Sequence, residues 1–141
     1  MNQVLLGTVA IEPNRWGTVR PDQSPTTQVH EHLAAIAAAG FDGLELWEGH
    51  LTPELADQAR SAGVPVEVFN SYVSFDDAGD TGRLAVAANV AATGARAVKF
   101  NVGNDPDSES AYADRLARFA EALPTDATAI CECHRGVSIA E

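Results

Sequence analysis

Ala39-Gly40-Phe41-Asp42-Gly43-Leu44-Glu45-Leu46-Trp47 sets the grammar of the whole chain. Gly40 reads as a helix stop, because glycine takes the left-handed turn after the last helical residue without steric penalty. Residues 41–47 then read as a strand. Upstream, Ser24 before Pro25 is an N-cap followed by a first-turn proline, and Val29, Leu33, Ile36 and Ala37 recur at helical spacing, so a helix leads into that strand. Downstream, Thr52-Pro53 opens a second helix that runs through Ala62 and stops at Gly63.

The same phrase repeats outward. Residues 4–10 read as a first strand, and 11–23, with Pro13, Asn14, Gly17, Pro21 and Asp22, as a long loop of functional type. Residues 64–69 form a third strand, Asp80 caps a helix that runs to Thr93 and stops at Gly94, and 96–101 form a fourth strand. Tyr112, Leu116, Phe119 and Leu123 make the stripe of another helix, ended by Pro124, and 129–133 read as a short buried fifth strand. Strand alternating with helix predicts an α/β fold with a parallel sheet, here five strands and four complete helices in a single domain over residues 1–141.

Two architectures fit this order, an open doubly wound sheet and the first part of a (β/α)8 barrel. A nucleotide-binding open sheet places a glycine-rich phosphate loop after its first strand, and neither G-x-G-x-x-G nor G-x-x-x-x-G-K-[ST] occurs. Polar residues gather instead at the C-terminal ends of strands: Glu45 and Trp47, Asn70, Lys99 and Asn101, Glu132 and His134. Barrels build their sites there, so the expected fold is an incomplete TIM barrel, with about three βα units outside these residues.

Charge narrows the partners. Asp and Glu number 20 against 9 Lys and Arg, a net charge of -11, which repels phosphate backbones and anionic membranes and predicts no nucleic-acid partner. No apolar run approaches the about 20 residues of a membrane span, and the N-terminus lacks the pattern of a signal peptide, which predicts a cytoplasmic protein without a membrane partner. Cys131 and Cys133, at i and i+2 of one strand, are poorly placed for a disulfide and suit a reducing compartment.

Chemistry concentrates in Thr128-Ala129-Ile130-Cys131-Glu132-Cys133-His134-Arg135-Gly136. Successive strand side chains face opposite ways, so with the two cysteines packed under a helix, Glu132 and His134 share the other compartment. A carboxylate there must bind something or pair with a cation, and Lys99 on the neighbouring strand is the available partner. Cys131, Cys133 and His134 do not make a soft-metal set, since they leave the strand on opposite faces. His30 and His32 flank Glu31 without the four-residue spacing of a zinc helix and read as an exposed helix face. Glu45 contacts substrate or bonds to Lys99. Trp16 and Trp47 form an apolar wall for a sugar ring or pack over the mouth. Glu48 and His50 are placed for a mouth role, and Asp76, Asp77 and Asp80 for a solvated loop and a helix cap.

Three phrases, residues 39–46, Ala97-Val98-Lys99-Phe100-Asn101-Val102-Gly103 and Glu132-Cys133-His134-Arg135-Gly136, carry a resemblance to the sugar phosphate isomerase/epimerase family of xylose isomerase-like TIM barrels, in its N-terminal portion. The resemblance implies that Glu132 is the first of four ligands to a divalent metal (Mn, Mg, Co or Zn). It places the other ligands, an Asp, a His and a Glu, on sixth, seventh and eighth strands. It also implies metal-assisted isomerisation or epimerisation of a sugar, sugar phosphate or related polyol, with His134 and Arg135 lining the substrate end and Arg135 gripping a carboxylate or phosphate oxygen. The 141 residues alone are expected to be inactive. Two rival expectations stand beside this one: a non-catalytic partial barrel that self-associates into a homo-oligomer through the open edges of its first and fifth strands, and a hydro-lyase on the same scaffold.

Overall fold

The computed structural model describes residues 3–14, 25–76, 78–103 and 105–132. Trp16, Ser24, Asp77, Cys133, His134 and Arg135 lie outside the described residues. The chain divides into two compact units, Met1–Asn70 and Ser71–Glu141.

The first unit runs β1 (Leu5–Gly7), α1 (Leu33–Ala38), β2 (Gly43–Trp47), α2 (Leu55–Ser61) and β3 (Val66–Asn70). β2 lies between β1 and β3 and is parallel to both, with Leu6 beside Leu44 and Leu46 beside Phe69. Alternation along these strands sends Leu44, Leu46 and Phe69 into the core, all three fully buried, together with Leu33 and Ile36 of α1 and Leu55 and Ala59 of α2. Each large side chain sealed in this way contributes roughly 1.5–3 kcal/mol. Glu45, Trp47, Val68 and Asn70 take the opposite face. Between Leu44 and Glu45 the β2–β3 register slips by one residue, from Leu44 beside Val66 to Glu45 beside Val68. Gly43 is an enforced glycine, since a Cβ there would stand 2.8 Å from the Pro65 carbonyl oxygen.

The second unit runs α3 (Thr81–Thr93), β4 (Ala97–Phe100), α4 (Glu109–Ala122) and β5 (Thr128–Cys131), with β4 and β5 parallel. Its core is a triad of rings, Phe75, Phe100 and Phe119, with centroids 5.3 to 5.7 Å apart. Val86 and Val90 of α3 and Tyr112 of α4 are buried with it. The fold is therefore α/β, with parallel strand pairing and four α-helices among the described residues. No helix among the described residues is long and apolar enough to cross a membrane.

The three helix-stop glycines behave as their sequence predicts. Gly40, Gly63 and Gly94 have φ of 86°, 80° and 70°, where a side chain would be strained. The helix expected from Pro25 onward begins later: residues 25–28 are not helical, Val29–His32 is a 3-10 turn, and α1 starts at Leu33. Its would-be first turn spends the N–H groups of Thr26 and Thr27 on the Glu12 carboxylate instead. The first strand is also shorter than expected, because Thr8–Ile11 turns into a 3-10 segment. Asp80 does occupy the N-cap of α3, but its carboxylate binds Arg83 and Arg118 rather than the helix N–H groups.

β5 requires a correction. It was expected to be buried, with its cysteines under a helix, yet all four of its residues are exposed, Cys131 and Ile130 among them. A parallel strand is buried only when elements cover its faces. The described residues that chiefly touch β5 are those of β4, which runs alongside it and shields one edge.

Candidate functional site

In both units, the face turned away from the apolar core is polar toward the C-terminal strand ends. In the first unit the Asn70 amide donates to Glu45 Oε1 at 3.0 Å, so the β2 carboxylate meets a donor from the next strand. Trp47 follows Glu45 on this face but is not an open platform. Its indole is 5% exposed, the His50 ring meets it edge-on at 4.8 Å, and the Glu48–His50 turn folds over it so closely that a Cβ on Gly49 would fall 2.3 Å from the ring. Trp47 thus follows the packing alternative. Its Nε1–H is buried without a hydrogen-bond partner among the described residues.

The same unit holds a buried polar constellation that sequence reading did not single out. Glu12, just after β1, is 2% exposed, and His50, just after β2, is 5% exposed. The Glu12 carboxylate accepts from His50 Nε2 at 3.0 Å, from the Asn14, Thr26 and Thr27 backbone N–H groups at 2.8, 3.1 and 2.9 Å, and from the Thr26 hydroxyl at 2.9 Å. Burial alone pushes this carboxyl upward. The bonds from His50, the Thr27 and Asn14 N–H groups and the Thr26 hydroxyl outweigh it and hold Glu12 well below the usual carboxylate range. His50 Nδ1 lies 3.0 Å from Thr8 Oγ1, which accepts from the Trp47 N–H at 3.0 Å. A hydroxyl, an imidazole and a carboxylate in line have the form of a nucleophile relay. Thr8, however, is completely buried, so no substrate reaches its oxygen, and the relay instead ties the loop after β1 to the end of β2.

In the second unit the polar face carries Lys99, Asn101 and Glu132. Lys99 Nζ stands 3.7 Å from Glu132 Oε1, a charge contact too long for a hydrogen bond, with the Glu132 side chain 42% exposed. The cation partner expected for Glu132 is thus present. The Asn101 side-chain oxygen is buried with no hydrogen-bond partner among the described residues. Around this face the loop after β3 is clamped from both helices. The Arg83 guanidinium, 2% exposed, donates to the Ser74 and Gly79 carbonyls and to Asp80, and Arg115 donates to the Phe75 carbonyl. The Tyr112 hydroxyl donates to Asp76 at 2.7 Å, and this bond, with burial, pushes the phenol above its ordinary pKa. Tyr112 lies so close to Gly103, whose φ is 143°, that a Cβ there would sit 2.7 Å from its ring.

Of the predicted site residues, the structure brings Lys99 together with Glu132 and seals Trp47, while Glu45 is held by Asn70; Trp16, His134 and Arg135 fall outside the described residues. Among the described residues no three His, Cys, Asp or Glu side chains are grouped as a metal site. The fit to a divalent cation rests on oxygen donors: a half-exposed carboxylate at Glu132 and an unsatisfied amide oxygen at Asn101, which suit a hard ion. His50, expected in a mouth role, is instead buried against Glu12 and Thr8, while Glu12 carries no local motif beyond being a lone Glu beside Pro13 at the end of an apolar run. The chain matches no protein-family model and no curated protein.

Proposed function

We propose that this chain is part of a (β/α)8 barrel of the xylose isomerase-like kind and serves the metal-assisted isomerisation or epimerisation of a sugar, sugar phosphate or related polyol. The observation that carries the reading is the placement of Glu132: at the end of β5, on the polar face, half exposed and balanced by Lys99 at 3.7 Å. An exposed carboxylate held by one distant cation keeps oxygen lone pairs available to a ligand. A bound divalent ion supplies Lewis-acid polarisation of a carbonyl and hydroxyl pair. On this reading Glu132 holds the ion, Lys99 balances the carboxylate, and Arg135 takes a phosphate or carboxylate oxygen. The other metal ligands and the acid and base that move the carbon-bound proton come from elements beyond those described.

The test is thermal melting of the chain and of Glu132→Gln with millimolar Mn2+ or Mg2+. Ligand binding at a hundredfold excess over Kd stabilises by about 2.7 kcal/mol, so the wild-type melting temperature rises with metal and that of Glu132→Gln does not. A wild-type chain indifferent to both ions refutes the reading.

The exposure of β5 favours a second reading, a non-catalytic module that self-associates, because an exposed strand is a template for pairing. Sedimentation then shows a mass that rises with concentration whether or not metal is present, and a monomer at high concentration rules it out.

A further inference from the structure

We infer that Asn101 is a second oxygen ligand, beside Glu132, for a hard divalent cation. The inference rests on the metal-ligand role proposed for Glu132 and adds a residue to it. Phe100 stands beside Cys131 in the β4–β5 ladder, and the Glu132 N–H continues that ladder by donating to the Phe100 carbonyl at 2.8 Å. One step on, Asn101 and Glu132 are therefore neighbours across strands spaced about 4.8 Å apart, and both belong to the face that carries Lys99.

The Asn101 Oδ1 is buried and accepts no hydrogen bond among the described residues. Such an oxygen is costly to leave unmatched, and what matches it is a donor or a cation. With a carboxylate across the ladder on the same face, a cation would be the better match, since one ion could satisfy both groups at once. One amide oxygen and one carboxylate are hard ligands of the kind Mg2+ and Mn2+ favour, in contrast to the nitrogen and sulfur donors that select zinc. Lys99, 3.7 Å from Glu132, supplies positive charge on the same face, and an ion bound by Glu132 competes with it.

The experiment is titration of the full chain with Mn2+, read as the loss of the free aquo-ion signal in electron paramagnetic resonance, on wild type, Glu132→Gln, Asn101→Leu and Asn101→Asp. Wild type is expected to bind one ion. Asn101→Leu raises Kd about tenfold or more, the scale at which even outer-shell ligand partners act. Asn101→Asp keeps or tightens binding, because it restores an oxygen at the same place. If Asn101→Leu binds as wild type while Glu132→Gln does not, the Asn101 assignment falls and the Glu132 reading stands. If wild type binds no Mn2+, both fall. If Asn101→Leu and Asn101→Asp lose binding equally and melt lower without metal, Asn101 serves folding and the assignment is overturned.

Discussion

Replacing Glu12 by Gln tests the account of the buried constellation most directly, because shape is kept while charge and one acceptor are lost. Each Glu12 oxygen faces three donor contacts: Asn14 N, Thr26 N and Thr26 Oγ1 at Oε1, and Thr26 N, Thr27 N and His50 Nε2 at Oε2. Whichever way the Gln amide turns, its NH2 confronts a backbone N–H that now donates to the carboxylate, Asn14 in one orientation and Thr27 in the other. An orphaned buried N–H costs about 1–3 kcal/mol, and the surviving bonds fall from charge-assisted to neutral strength. The sum is about 3 kcal/mol, a large share of the 5–15 kcal/mol that typically holds a domain. In urea, with a slope of about 2 kcal/mol/M, the midpoint should drop by about 1.5 M at unchanged slope.

The pH dependence carries its own sign. The folded Glu12 pKa is depressed, so its contribution is complete above the unfolded carboxyl value of about 4.3 and is lost as pH falls toward the folded one. The difference between wild type and Glu12→Gln is therefore constant at neutral pH and narrows by about 1.4 kcal/mol per pH unit once the unfolded chain takes up its proton. A midpoint shift under about 0.3 M, or a difference that does not depend on pH below 4, refutes the reasoning.

Two further substitutions probe the packing around each polar face. Gly49→Ala sets a methyl 2.3 Å from the buried Trp47 ring and should cost about 1–3 kcal/mol, with a red shift of tryptophan emission as the indole is displaced. A wild-type melt and spectrum contradict it. Arg83→Met preserves bulk against Phe75 but strips the Ser74 and Gly79 carbonyls of their donor and should lower stability by about 2–4 kcal/mol in a urea melt, whereas a loss below about 0.5 kcal/mol shows that water replaces the guanidinium.

What could be read from the sequence was whatever is decided locally. Gly40, Gly63 and Gly94 announce helix ends because a positive φ is a property of one residue, and the Leu44, Leu46 and Phe69 alternation announces a buried face because strand period is a property of a few. The Lys99–Glu132 pair was also legible, since both sit near the ends of recognisable strands. The constellation of Glu12 with His50 was not, because its members are 38 residues apart and meet only once β1 and β2 are paired. That meeting also decided the start of α1, since Thr26 and Thr27 bond to a distant carboxylate more strongly than they favour a helical turn. β5 was misjudged for the complementary reason. Its apolar letters state what a strand can bury, while burial depends on what the rest of the molecule lays over it.

The slipped register between β2 and β3 has an electrostatic consequence. Were the pairing to continue from Leu44 beside Val66 without the slip, Glu45 would stand beside Glu67, and two carboxylates would share one rung of a parallel ladder. The extra residue moves Val68 into that place and brings Asn70 close enough to give Glu45 an amide proton. Pairing without the slip would therefore do more than straighten a strand: it would exchange an attraction for a repulsion at the end of β2. Register, at this point, is a form of electrostatic coding.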